Sequence, residues 1–357
     1  MFAARLRKLR VALADKNVDA FLVLNRSNIF YLTGYSGALS EDFFALVVTP
    51  SDAVFLVDSR YLEDALVESA VDVARLERRS FEEIGIYLPE GAKRLGFEPE
   101  VLTVAQHENL STALKGIELI TVSGISSIRK CKDEGEIEQI AKAAAIADAA
   151  FEHVLGLLAP GITEREVALE IDYFMRKKGA DKASFDPIVA SGARSAIPHA
   201  KVTDKPISQG DLVVLDMGAR CAGYCSDMTR TVVVGKPNDK QREMYRIVRE
   251  AQAVALERVR AGAACRELDA LARDRIERAG FEGKFLHGLG HGVGIEVHEI
   301  PVMSKESADV LEAAEVITVE PAIYVSGIGG VRIEDLVLVS KEGSEVLSRS
   351  PKDLIEV

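Results

Sequence analysis

Residues 211–234 read DLVVLDMGARCAGYCSDMTRTVVV. Two apolar, β-branched runs flank Arg220-Cys-Ala-Gly223, the composition of two strands and the turn between them. Each run carries one aspartate, Asp216 and Asp227, in otherwise apolar surroundings. A symmetric turn about Cys221-Ala222 puts the two aspartates directly opposite each other. Opposed residues have Cβ atoms about 5 Å apart, and like charges there destabilise the sheet unless a cation lies between them. The apolar strand context sharpens the penalty.

The same geometry recurs over 316–335, VITVEPAIYVSGIGGVRIED, where a turn centred on Gly327 pairs Glu320 with Glu334. A single acidic pair reads as a solvated strand edge. Two pairs accompanied by a histidine-rich segment read as the shell of a metal site. That segment, 287–299, is HGLGHGVGIEVHE, and it holds three of the six histidines. Its glycines exclude a helical His287/His291 zinc pair, and they indicate close backbone approach to a ligand or an irregular loop. A GxGxxG phosphate loop lacks its strand–helix context and acidic partner. His199, in ASGARSAIPH over 190–199, lies in another glycine- and proline-containing loop. Loop histidines beside acid-bearing strands suit transition-state handling. Asp216, Asp227, Glu320, Glu334 and His291 together form a donor set for Mn, Co, Fe or Zn rather than a thiolate-bound zinc. Their convergence defines a two-metal hydrolase.

The rest of the chain is consistent with this reading. Its 357 residues suffice for two domains, and 48% hydrophobic content supports a sizeable core. A net charge of −12 argues against nucleic-acid binding by the bulk surface. No apolar run of membrane-spanning length appears, so no membrane partner is expected. The basic start MFAARLRKLR is followed by Asp15 and Asp19 without a long apolar stretch. It reads as an amphipathic helix before a strand at Asp19–Leu24, not as a transit peptide, and the expected location is the cytoplasm. Cys131, Cys221, Cys225 and Cys265 form no CxxC pair and read as reduced, packed thiols.

Strand-like segments at Ala20–Leu24, Phe43–Val48, Ala53–Val57 and Ile117–Val122 alternate with helical ones at Tyr61–Ser69 and Val104–Lys115, which predicts a small α/β domain. With His107 as its one histidine, it is expected to carry no chemistry. Ser123-Gly-Ile-Ser-Ser127 reads as a linker, placing the boundary between 124 and 125. A long helix is predicted from about Lys132 to Leu158, ended by Pro160-Gly161, and a second from Glu164 to Lys178. Strands follow near 186–191, 211–219 and 223–234, then two helices within 239–280, then strands near 315–320 and 331–340.

The motifs together resemble the pita-bread metallopeptidases, in the branch containing prolidase and aminopeptidase P. They are FDPIVASG at 185–192 with His199, Asp216-Met-Gly, GYCSDMTRT at 223–231, the 287–299 segment, Thr318-Val-Glu320-Pro, and GVRIED at 330–335. Tyr31-Leu-Thr-Gly-Tyr35 resembles that branch's first domain. The resemblance implies a mixed α/β (α+β) fold: a creatinase-like α/β domain over 1–124 for dimerisation and gating, then a catalytic pita-bread domain over 125–357 with a curved antiparallel sheet covered by helices. It implies two divalent cations, Mn or Co with Zn or Fe as alternatives. Asp216 would bind one, His291 and Glu320 the other, and Asp227 and Glu334 both, with a shared hydroxide as nucleophile. Glu320 would shuttle protons, His199 and His298 would position the scissile amide and stabilise the oxyanion, and His287 would line the pocket. Arg332 would orient a bridging carboxylate or meet the substrate's C-terminus.

The implied reaction is hydrolysis of the bond before proline, in a homodimer acting on Xaa-Pro dipeptides. The alternative is an aminopeptidase P acting on longer peptides. Valine at 302 stands where several prolidases carry an arginine, leaving Lys305 or Arg332 to meet the proline carboxylate. A non-catalytic binding module and a metal-free creatinase are disfavoured because all five ligands stand. Methionine aminopeptidases share the ligands but usually lack this first domain.

Overall fold

A computed structural model describes residues 1–39, 43–77 and 80–357. The chain divides into two compact units, Met1–Arg129 and Lys130–Val357. The expected linker, Ser123–Ser127, runs into a 3-10 turn over Ile125–Arg129 whose Ile125 and Arg129 are buried, and the first unit extends to Arg129.

In the first unit, strands β1 (Ala20–Val23), β2 (Ala45–Val48), β3 (Ala53–Asp58), β4 (Asp72–Leu76), β5 (Arg94–Phe97) and β6 (Glu118–Thr121) form one sheet in the order β4-β3-β2-β1-β5-β6. Helices α1 (Phe2–Leu13), α2 (Arg26–Thr33), α3 (Leu62–Glu68), α4 (Phe81–Ile84) and α5 (Val104–Ala113) accompany it. Leu22, Val47, Leu56, Leu95 and Leu110 share its core. Sequence reading missed β4 and β5. Charged residues interrupt the apolar pattern in Asp72-Val-Ala-Arg-Leu76, and Gly96 dilutes the strand signal in β5.

In the second unit, α6 (Glu134–Leu155) and α7 (Glu164–Lys177) begin at capping boxes, Asp133 with Glu136 and Thr163 with Glu166. In each, a side-chain oxygen and a carboxylate satisfy helix-start N–H groups reciprocally. Strands β7 (Lys182–Ala183), β8 (Ile188–Ser191), β9 (Leu212–Met217), β10 (Ala219–Cys221), β11 (Tyr224–Cys225) and β12 (Met228–Val233) follow. Helix α8 (Asp239–Leu256) begins at an Asn238/Gln241 capping box, and α9 (Cys265–Arg278) follows it. The chain closes with β13 (Gly290–Gly292), β14 (Glu299–Met303), β15 (Val316–Val319), β16 (Ala322–Val325), β17 (Gly329–Arg332), β18 (Asp335–Val339) and β19 (Ser344–Val346). All pairings between these second-unit strands are antiparallel.

Strand alternation decides which side chains reach the site. On β9, Val213, Leu215 and Met217 join α6 and α7 in one core, with Met228 and Val232 of β12. Leu212 and Val233 join a second core with α8 and α9. Successive side chains point to opposite faces. Asp216, Thr229 and Thr231 therefore turn away from α6 and α7.

Candidate metal centre

Asp216 is flanked across the ladders by Ile188 of β8 and Thr229 of β12. This corrects the register expected from sequence, in which Asp216 faced Asp227. The turn is Ala222-Gly223, with φ of 46° and 83°, the left-handed pair a two-residue hairpin requires. Gly223 adopts that conformation without steric cost and draws the turn one residue along the chain. The pairing therefore slips by two residues, which preserves the face, whereas a slip of one would reverse it. Continuing the same register sets Asp227 across from Gly218, diagonal to Asp216. A Cβ at Gly218 would lie 1.9 Å from the Ser226 carbonyl oxygen, so the strands press together here.

The second hairpin keeps the expected register. Val319 pairs with Asp335 and Ala322 with Arg332. Glu320 and Glu334 thus stand opposite each other at the break where one ladder passes into the other. Backbone bonds tie both down, from Glu320 N–H to the Leu289 carbonyl (2.8 Å) and from Glu334 N–H to the Thr229 carbonyl (3.0 Å).

His291 lies on β13, pressed between β14 and β15. A Cβ at Gly290 would fall 2.1 Å from the Thr318 carbonyl oxygen. Gly288, Gly290 and Gly292 let the segment approach the backbone of neighbouring strands closely. His291 Nδ1 lies 3.0 Å from the Gly292 carbonyl, which assigns its proton there. Nε2 then faces the acids, 3.4 Å from Glu320 and 3.7 Å from Asp227. Burial lowers the His291 pKa to about 4, so the imidazole is neutral near pH 7. Asp227, His291 and Glu334 each offer one donor atom within 4.8 Å of the others.

The acids are strained electrostatically. Burial first, then Glu334 and Asp216, pushes Asp227 well above the ordinary carboxyl range. Burial first, then Glu320 and Asp216, does the same to Glu334. Glu320 is raised to about 7, by burial first, with Arg332 opposing. Arg332 Nη2 is bonded to Asp216 Oδ2, while Asp216 Oδ1 is buried with no hydrogen-bond partner. An unsatisfied buried acceptor costs roughly 1–3 kcal/mol. A divalent cation would relieve both the orphaned oxygen and the crowded charge, and a set of carboxylates with one neutral imidazole suits such an ion. The residues present fit a divalent-metal site.

Arg332 was expected at a bridging carboxylate or at the substrate's C-terminus. Its buried guanidinium bonds to Asp216, to Thr229 Oγ1 (3.0 Å), to the Pro198 carbonyl (3.2 Å) and to Tyr324 Oη (2.7 Å). Tyr324 Oη also lies 3.1 Å from His287 Nε2, and His287 Nδ1 lies 2.8 Å from the Gly288 carbonyl. Since Arg332 donates to the phenol, the phenol proton goes to His287 Nε2. Burial first, then Arg332, lowers the His287 pKa to about 4. Arg273, paired with Asp269, grips the Phe285 and His287 carbonyls at 2.8 and 2.7 Å. His298 is exposed, with its ring 4.3 Å from that of His291. His199 is exposed on the 192–202 loop. Lys305 is also exposed and pairs with Glu306.

Sequence reasoning missed Thr229, whose hydroxyl donates to Glu334 at 2.6 Å, and Tyr324. A turn read at Ala222-Gly223 would have found Thr229 opposite Asp216. Tyr324 carried no comparable signal, because an aromatic in an apolar strand reads as core.

A model of metallopeptidase family M24 matches residues 138–341, and one of the creatinase/prolidase N-terminal domain matches residues 5–131. The chain belongs to metallopeptidase family M24, and peptidase chemistry with divalent metal comes with that membership. It is 43% identical to an Xaa-Pro dipeptidase of Pyrococcus horikoshii, over 96% of each chain. Among solved structures it resembles an Xaa-Pro dipeptidase from Bacillus anthracis, with TM-score 0.95, 41% identity and full coverage of both chains. It also resembles an X-Pro aminopeptidase from Thermotoga maritima, with TM-score 0.90, 35% identity and coverage of 98% and 100%.

Proposed function

We propose that this chain is a metal-dependent exopeptidase hydrolysing the bond before proline in Xaa-Pro dipeptides. The observation that carries this reading is the convergence of Asp227, His291 and Glu334, with Glu320 beside His291 and an orphaned Asp216 oxygen nearby. We assign Asp216 to one cation, His291 and Glu320 to a second, and Asp227 and Glu334 to both. Mn or Co is the expected metal, with Zn or Fe as alternatives. When bound, two such ions supply an activated water at neutral pH and a Lewis acid for the scissile carbonyl.

The protein's own groups complete the chemistry. Glu320 is assigned to proton transfer between water and the leaving amine. His199 and His298 are assigned to holding the scissile amide and the developing oxyanion. His287, fixed by Tyr324 and Gly288, lines the pocket as a neutral ring. Arg332 is assigned to holding Asp216.

A second reading, aminopeptidase P, is favoured by one observation. Val302 stands across the ladder from His291 and is half exposed. No charge at that position meets a dipeptide's carboxylate, and the wall is open to a longer chain. Product analysis of the Mn- or Co-loaded protein on Ala-Pro and Ala-Pro-Ala, with chelator controls, separates the two. Cleavage of the dipeptide alone supports the first reading, and release of alanine from the tripeptide supports the second. Chelator-resistant cleavage of either would refute the metal assignment.

Both groups of metal-competent side chains found among the described residues lie in the second unit. We assign the first unit to homodimerisation and gating, and a fully active monomer in sedimentation would refute this. The four cysteines are free thiols, in keeping with a reducing cytoplasm. Among the described residues, no helix is long and apolar enough to cross a membrane.

A further inference from the structure

The loop carrying His199 is closed at its base by a carboxylate outside the metal cluster. Glu164, the first residue of α7, is fully buried. Its Oε1 accepts from the Ser191 N–H (2.9 Å) and hydroxyl (3.0 Å). Its Oε2 accepts from the Thr203 N–H (3.2 Å) and hydroxyl (2.7 Å). Arg194 Nε, from the loop itself, lies 3.2 Å from both oxygens. Ser191 and Thr203 are the residues where the 192–202 loop begins and ends, so one side chain holds both ends. A helix N-terminus is a favourable place for the anion, and hydrogen bonds to a buried charged acceptor are among the stronger ones.

The tip of the same loop meets the site, where the Pro198 carbonyl accepts from Arg332 at 3.2 Å. His199 follows directly, with an exposed side chain. The position of its imidazole is therefore set by the loop backbone more than by packing around the ring. That backbone is held at both ends by Glu164 and in its middle by Ser195 Oγ, which accepts from the Gly330 N–H at 2.8 Å.

We propose that Glu164 is a positioning residue for His199, acting on catalysis through the loop and not through substrate or metal. The proposal rests on the assignment of His199 to the transition state. Its test is a double-mutant cycle on an Xaa-Pro substrate, using the metal-loaded parent, Glu164→Gln, His199→Ala and the double variant. Circular dichroism and metal content are measured on each. The Glu164→Gln change turns an amide NH2 toward groups that donate, so the loop base opens while side-chain volume is kept. In Glu164→Gln, kcat falls roughly 100-fold, the scale of a small misplacement of a catalytic group, while KM stays close to that of the parent. In the His199→Ala background the same change has little further effect. Glu164→Asp, which keeps the charge, recovers part of kcat. If Glu164→Gln does not fold, Thr203→Val and Ser191→Ala, each removing one donor to the carboxylate, run through the same cycle with smaller losses.

Equal losses of kcat in both backgrounds would overturn the proposal in favour of a general structural role. Full activity in a folded Glu164→Gln protein would overturn it outright. Unchanged kcat in His199→Ala would instead overturn the assignment of His199, on which the proposal stands.

Discussion

Thr229 stands across the β9–β12 ladder from Asp216 and gives its hydroxyl proton to Glu334 at 2.6 Å. The same oxygen accepts from Arg332 Nε at 3.0 Å. One buried hydroxyl therefore joins the two hairpins that carry the acids. Thr229→Val preserves shape and strand propensity but leaves Glu334 without its donor and Arg332 Nε without its acceptor. Partners that orient metal ligands typically matter by about 10–100-fold in affinity or activity. We expect Thr229→Val to bind Mn or Co in that proportion more weakly by titration calorimetry, with its circular dichroism unchanged. Parental metal affinity would show that the hydroxyl is incidental.

Arg332→Lys separates two roles for that side chain. The guanidinium reaches Asp216, Tyr324, Thr229 and the Pro198 carbonyl at once, and a lysine ammonium cannot reproduce the planar fork. If Arg332 holds Asp216, the substitution lowers kcat and metal affinity while KM for Ala-Pro changes little. If the arginine instead binds the proline carboxylate, KM rises steeply for the dipeptide but not for Ala-Pro-Ala.

Most of the site was legible because metal chemistry demands residue types that strands otherwise avoid. Acids at the ends of apolar runs, at matching distances about a turn, mark a shared face without any structure. Glu320 and Glu334 followed that logic, since a turn centred on Gly327 forms. Asp216 and Asp227 show its limit. The register hung on whether the two-residue turn began at Cys221 or Ala222, and Gly223 decided it through backbone conformation. The face survived because the slip was even. Thr229 was lost with that register, and its hydrogen-bond partners, like those of Tyr324 and Glu164, were illegible for a different reason. A threonine in a strand, a tyrosine in a strand and a glutamate at a helix start are all ordinary locally, and their partners are contributed by distant segments. In the first unit, β4 and β5 were lost because charged or glycine residues fall within short strands.

The acid cluster gives chelator-treated protein a distinctive pH profile. Asp227 and Glu334 are raised well above their usual range and Glu320 to about 7, so the native state holds protons that the unfolded chain releases. That contribution to stability declines as pH rises from the unfolded carboxyl values toward the folded ones. His287 and His291, lowered to about 4 from 6.5, act in the opposite sense between those values. Above pH 6.5 they are largely neutral in both states, and the acids dominate. We expect urea midpoints of the chelated protein to fall between about pH 6.5 and about pH 7.5, and the fall to vanish on adding Mn. A rising profile without metal would contradict the placement of the carboxylates in one buried cluster.

A tight steric constraint on the site falls on a glycine beside His291, not on a ligand. A Cβ at Gly290 would sit 2.1 Å from the Thr318 carbonyl oxygen and 2.7 Å from its hydroxyl. The first is backbone of β15 and cannot turn aside as a side-chain tip would. Gly290→Ala must therefore push β13 away from β15, and the next residue along β13 is His291. Overpacking of this kind costs about 1–3 kcal/mol, occasionally more. The displacement should also carry the imidazole away from Glu320, 3.4 Å distant in the parent. We expect Gly290→Ala to lower both the stability of the second unit and its metal affinity. Gly343→Ala, in open space at a surface turn, should change neither. The comparison fixes the cause: loss of stability with parental metal affinity in Gly290→Ala would mean that β13 yields elsewhere, and that His291 does not depend on this contact for its place.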